Sequence, residues 1–166
     1  SKLVNGHSFC PGCFRDEKRK NEAWVKQDVF ALDFDHDYLL EEFEADCRRL
    51  RVFPAFVYTT FSHTEQEHRF RAVFAIDRTV ADRRVRRLVQ ETLMKLFPMC
   101  DDSCSDAARM FFPGKSLVMT QFDGRLNAVD LLAIYRRSLH RADSKSWKRR
   151  WRRFCAEQNV VEGPTA

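Results

Sequence analysis

Apolar and polar positions alternate along residues 29–35, which predicts a strand with Phe30, Leu32 and Phe34 on one face and Asp33 and Asp35 on the other. Residues 38–50 change to helical spacing, with Leu39, Leu40, Phe43, Cys47 and Leu50 near one stripe. Pro54 opens a second strand that runs to residue 60, and residues 69–76 form its antiparallel partner. There Phe70, Ala72, Phe74 and Ile76 make a core face, while Arg69, Arg71, Val73 and Ala75 share the face of Asp33 and Asp35. A long helix is predicted over residues 79–97, capped by Thr79 with Asp82 three on, buried through Val85, Leu88, Val89, Leu93 and Leu96, and ended by Pro98. Short strands at 109–112 and 117–122 flank a Pro113-Gly114 turn, Asp123-Gly124 marks another turn, and Asn127 caps a helix to about 140. Residues 144–154 predict a last helix with Trp147, Trp151 and Phe154 on one side, and residues 1–21 read as loop.

This order of elements predicts an α+β fold: a mainly antiparallel sheet, helices on one face, and an open face for a site. At 166 residues the chain holds one core. No apolar run is long enough to cross a membrane, so no membrane partner is expected. Six cysteines at irregular spacing among many charges do not form a secreted disulfide pattern, and a reducing cytoplasm is the expected compartment. The chain begins at Ser1, which reads as an excised domain.

The net charge is +5, and its placement is uneven. Residues 141–153 hold seven basic side chains and one acid, which leaves the remainder near neutral. The expected division is therefore a domain over 1–140 and a basic, aromatic tail over 141–166. Lys148, Arg149, Arg152 and Arg153 of that tail suit a phosphate backbone. A second basic knot, Arg83-Arg84-Val85-Arg86-Arg87, is expected to be a solvated helix face.

Candidate chemistry starts with Asp33 and Asp35. Two like charges on one strand face call for a positive partner, and Mg²⁺ or Mn²⁺ takes such hard oxygen ligands; a strand running into an acidic loop is the plain alternative. Thr59-Thr60-Phe61-Ser62-His63-Thr64 closes the second strand, and Cys100-Asp101-Asp102-Ser103-Cys104-Ser105-Asp106 precedes Arg109-Met110-Phe111-Phe112. In that order, an Asp-x-Asp strand, a His after a hydroxyl-rich strand end and a third Asp ahead of an Arg-x-Phe segment resemble the archaeo-eukaryotic primase superfamily. Within it they resemble the primase-polymerases of plasmids, phages and integrative elements. The likeness spans about residues 27–114. The family's middle motif has a small residue two before the His, where this chain has Phe61 between Thr60 and Ser62.

The resemblance implies a catalytic core related to the RNA-recognition-motif fold and a template-dependent nucleotidyltransferase, a DNA primase or polymerase. Two Mg²⁺ or Mn²⁺ ions would be held by Asp33, Asp35 and Asp101, with Asp102 and Asp106 competing for the third place. His63, Ser62, Arg71, Arg109 and Lys115 are the expected nucleotide-binding residues, with Arg suited to bidentate phosphate contact. Arg69 faces nucleic acid or forms a rim salt bridge to Glu65 or Glu67. Expected partners are a DNA template, nucleoside triphosphates and a helicase in a longer protein; no Walker A pattern is present in this chain.

Two other classes compete. A non-catalytic single-stranded nucleic-acid-binding module would stack bases on exposed aromatics of the sheet. A replication-initiator nuclease would need a His-x-His pair, whereas His63 and His68 are five apart. Cys10-Pro11-Gly12-Cys13 with His7 nearby looks like half a zinc knuckle, but the other close pair, Cys100 and Cys104, adjoins the expected active site. Free thiols are preferred over zinc.

Overall fold

A computed structural model describes residues 6–121 and 123–139. The expected tail helix, with Trp147, Lys148, Arg149, Trp151, Arg152, Arg153 and Phe154, lies outside the described residues. The strands are β1 (Cys13–Phe14), β2 (Trp24–Phe34), β3 (Phe56–Thr59), β4 (Phe70–Val80) and β5 (Leu117–Thr120). The helices are α1 (Leu40–Leu50), α2 (Arg83–Leu96) and α3 (Ala128–Leu139). The fold is α+β, with one antiparallel sheet in the order β1-β2-β4-β3-β5 among the described residues. No described helix is long and apolar enough to cross a membrane.

Alternation sorts the two long central strands. Phe30, Leu32 and Phe34 of β2 lie opposite Phe74, Ala72 and Phe70 of β4, and all six are buried. The Phe34 ring centre is 4.8 Å from that of Phe70 and 5.3 Å from that of Phe43 on α1, and Phe43 is 5.1 Å from Phe97 at the end of α2. The helices therefore cover this face, with α3 packed on α2. The stripe on α2 buries Val85, Val89, Leu93 and Leu96.

Four local expectations change. β4 continues to Val80, paired with Gln27, so Thr79 is in a strand and Asp82 caps α2 by accepting from the Arg84 N–H at 2.7 Å. Residues 109–112 are not a strand. Phe111 alone exchanges backbone bonds with Phe9, at 2.8 and 2.9 Å, and the Phe112 carbonyl is taken by side chains instead of a strand neighbour. The N-terminal loop contains β1, paired with β2. The basic knot on α2 is a solvated face only in part: Arg83, Arg84 and Arg87 are exposed, but Arg86 is 8% exposed and donates to Ser105 O at 2.6 Å and Gln27 Oε1 at 3.4 Å. Arg83 donates to the carbonyls of Asn21, Glu22 and Trp24. Both cations clamp neighbouring segments to the helix.

Gly114 sits where the chain passes over Tyr58 to enter β5. A Cβ there would lie 2.0 Å from Thr59 O and 2.6 Å from Tyr58 Cδ2, and the first of these is backbone that cannot yield cheaply. Gly114→Ala is expected to destabilise the domain by about 1–3 kcal/mol through overpacking, read as a lower midpoint in denaturant unfolding with unchanged slope.

Candidate active site

The register of the sheet puts three residues in one row. Asp33 at the end of β2 lies opposite Arg71 of β4, which lies opposite Tyr58 of β3. Residues directly opposite in antiparallel strands share a face, and this is the face away from the helices. It is not open at this row, because the segment from Arg109 to Gly114 crosses it. The carbonyl of Phe112 accepts from Arg71 Nη1 at 2.7 Å and from Tyr58 Oη at 3.0 Å. Tyr58 is fully buried beneath.

The segment before the crossing is fastened to the end of β2. The Asp101 N–H donates to Asp33 O at 2.8 Å, and the Asp33 N–H donates to Cys104 Sγ at 3.2 Å. A 3-10 turn over Asp102–Ser105 is capped by Asp101, which accepts from the Ser103 N–H. Of the three aspartates in this segment, Asp101 is the one held beside Asp33. Asp102 is exposed, and Asp106 closes a turn by accepting from the Ala108 N–H at 2.9 Å.

Charges then form a chain. Arg71 Nε meets Asp33 Oδ1 at 3.0 Å, and Arg109 Nη2 meets both Asp33 Oδ2 at 2.8 Å and Asp101 Oδ2 at 3.1 Å. The Asp33 side chain is 3% exposed, so these arginines are its compensation. Burial alone would raise the Asp101 pKa; the Ser103 N–H and the Arg109 guanidinium outweigh it and hold the carboxyl below its usual range. Burial would likewise lower that of Arg109, but its bond to Asp33 carries it up. Asp35 lies one step beyond β2, partly buried. Burial first, and then the charge of Asp33, push its pKa up.

His63 stands in the loop between β3 and β4. Its Nδ1 accepts from the Arg69 N–H at 3.0 Å, so in the neutral ring Nε2 carries the proton and is the donor. Burial, followed by the nearby His68 and Lys115, lowers its pKa and favours that form. His68 is placed differently, with Nδ1 accepting from the Leu40 N–H at 2.9 Å. Lys115 Nζ donates to the His63 carbonyl at 3.0 Å, which ties the crossing segment to this loop. Ser62 is exposed, its Oγ 3.4 Å from Thr60 Oγ1, and Arg69 pairs with Glu67 at 2.7 Å.

Asp33, Asp101, Arg71 and Arg109 are thus brought into contact, while His63, Lys115, Ser62 and Arg69 gather in and around the adjoining loop. Asp33, Asp35 and Asp101 offer the hard oxygens that Mg²⁺ or Mn²⁺ takes. As arranged they do not fit such an ion: both Asp33 oxygens are engaged by arginine, and Arg109 takes Asp101 as well. No group of three or more His, Cys, Asp or Glu among the described residues is placed to hold a metal. That includes Cys10 and Cys13; Cys10 Sγ donates to Ala107 O at 3.8 Å, and Cys13 is exposed. Reading the sequence missed Tyr58 and the Phe112 carbonyl. Registering residues 56–59 against Arg71 would have placed Tyr58; the carbonyl has no side-chain signal.

The fold is similar to that of a primase-polymerase domain. The archaeo-eukaryotic primase (AEP) domain of the cyanophage S-2L primase-polymerase is similar, with a TM-score of 0.59 at 11% identity, covering 77% of this chain and 69% of that one. A family model described as the VapE N-terminal domain matches residues 2–149, and the chain belongs to that family. No curated protein matches it.

Arg109→Ala is expected to cost about 3–5 kcal/mol, because Asp33 stays buried with less compensation. Asp33→Ala should also destabilise, and the double variant should lose less than the two single losses together, with a coupling of roughly 0.5–3 kcal/mol in denaturant unfolding. His63 gives a pH dependence. Its folded pKa lies below its unfolded one, so its contribution to stability is complete above the unfolded value and is lost as pH falls through the folded value. An NMR titration should show His63 with a midpoint below that of an unperturbed histidine, and the Arg69 amide shifting with it.

Proposed function

We propose that this domain is a template-dependent nucleotidyltransferase, a DNA primase or primer-extending DNA polymerase. One observation carries the reading: three acids and a set of phosphate-type donors meet at one end of a primase-polymerase-like sheet. His63 donates from Nε2 to a triphosphate oxygen. Arg109 supplies a guanidinium fork of the kind that grips phosphate; Arg71, with Nε on Asp33 and Nη1 on the Phe112 carbonyl, has Nη2 left for it, and Lys115 and Ser62 stand at the rim.

Asp33, Asp35 and Asp101 would serve Mg²⁺ or Mn²⁺ only once Arg109 has left Asp33 and Asp101. A triphosphate is the ligand suited to take that guanidinium. The chain's own work is then to bind the nucleotide, to exchange carboxylate for phosphate on Arg109, and to keep Asp33 fixed through Arg71. A DNA template, a cytoplasmic setting and a helicase elsewhere in a longer protein accord with the nucleotidyltransferase reading, as does a division into a domain over 1–140 and a basic tail over 141–166.

A second reading has one observation in its favour. With Asp33 and Asp101 neutralised by arginine, the face repels a nucleic acid less, which suits a non-catalytic single-strand-binding module. Nucleotide incorporation on a primed template, with Mg²⁺ or Mn²⁺ supplied, separates the two. Asp33 is a poor test residue, since its loss also leaves Arg71 without its carboxylate and Arg109 with Asp101 alone. Asp35 is partly exposed, and Arg71 and Arg69 act on it only through their nearby charge. Asp35→Asn is expected to abolish incorporation with the melting temperature unchanged. His63→Ala should raise KM for the nucleotide or lower kcat by about 1–3 kcal/mol in kcat/KM. Full activity in Asp35→Asn would falsify the enzymatic reading.

A further inference from the structure

Phe61 and Phe112 are the most exposed large apolar side chains among the described residues, at 59% and 61%. The other four are Val25, Leu39, Met99 and Val118, none of them aromatic. The two phenylalanines stand on the two segments that bound the candidate site. Phe61 precedes Ser62 and His63; Phe112 follows Arg109 and offers its carbonyl to Arg71 and Tyr58. The segments are joined, with the Lys115 N–H donating to Thr59 O at 2.9 Å and Lys115 Nζ to the His63 carbonyl at 3.0 Å. Lys115, which has no acid partner among the described residues, adds positive charge on the same rim, beside Arg69, Arg71 and Arg109, whose charges are matched by Glu67, Asp33 and Asp101.

We propose that Phe61 and Phe112 are stacking platforms for the bases of a single-stranded nucleic acid, with the neighbouring cations tracking its backbone. An exposed aromatic ring leaves apolar area in water, and a nucleobase covers it face to face whatever its identity. Aromatics set among cations are the combination that holds single strands without reading sequence. The inference rests on the nucleic-acid part of the reading above, not on catalysis.

The test is binding of the full chain, without nucleotide or metal, to a labelled oligothymidylate of about 12 nucleotides and to an abasic strand of equal length. Wild type should prefer the base-bearing strand. Phe61→Ala and Phe112→Ala should each weaken that strand roughly 5- to 100-fold, leave the abasic strand unchanged and keep the melting temperature. Phe61→Trp and Phe112→Trp should retain the preference. Equal binding of the two strands by wild type, or losses of equal size on both strands, would overturn the proposal. Loss confined to free thymidine triphosphate, measured by equilibrium dialysis, would also overturn it and assign the rings to the incoming nucleotide. A protein that discriminates the strands yet incorporates nothing would leave this inference standing and remove the enzymatic one.

Discussion

Everything at this site depends on one buried carboxylate. Asp33 sits at the end of a central strand with 3% of its side chain exposed. A charge so placed costs several kcal/mol unless it is paired with good geometry. Arg71 provides one partner because antiparallel register sets it directly opposite. Arg109 provides the other from a segment distant in sequence, and the same nitrogen reaches Asp101. The pairing therefore fixes more than a charge. It holds the crossing segment at one end, while the Phe112 carbonyl pins its middle and the fit of Gly114 over Thr59 and Tyr58 pins the other end.

Periodicity made much of this legible and also marks where legibility stops. A period of two decides which face a residue occupies, so Asp33 and Arg71 were placed together, and Phe30, Leu32 and Phe34 opposite them, from alternation alone. It says nothing about what lies over that face. Burial of Asp33 comes from a segment some 70 residues on, through contacts with no local pattern. Residues 109–112 look like a strand because Met110, Phe111 and Phe112 are apolar, and Phe111 does form one bridge with Phe9. The next carbonyl, at Phe112, goes to side chains, which composition cannot express. Arg86 fails for a similar reason. A run of arginines on a helix usually faces water, as Arg83, Arg84 and Arg87 do, yet Arg86 is drawn under Ser105 and Gln27 by tertiary packing. The proximity of Asp101 to Asp33 was suggested by family likeness; Asp101, Asp102 and Asp106 are indistinguishable by spacing alone.

The loop that carries His63 shows how backbone geometry can fix a side chain's tautomer. The Arg69 N–H occupies Nδ1, which fixes the neutral tautomer and sends the proton to Nε2. Burial works in the same direction by disfavouring the charged ring. The neighbouring His68 takes its own N–H donor from the start of α1 and is thereby committed to packing the loop against the helix. Two histidines five apart thus have separate duties that sequence alone could not divide.

The same logic constrains the acids. Arg109 now satisfies two carboxylates, one sealed and one partly open. Any anion that draws this guanidinium away leaves Asp33 facing Arg71 alone, in surroundings that penalise an uncompensated charge. The face can exchange one positive group for another, but it cannot simply lose one. Were an anion to bind at Arg109, its binding and the arrival of a replacement positive charge near Asp33 would be coupled, each favouring the other to the same degree. That coupling follows from the burial of Asp33 and the sharing of Arg109 Nη2, whichever ligand meets the site. A cluster that reads in sequence as an acidic patch is thus one whose acids are already matched by arginine.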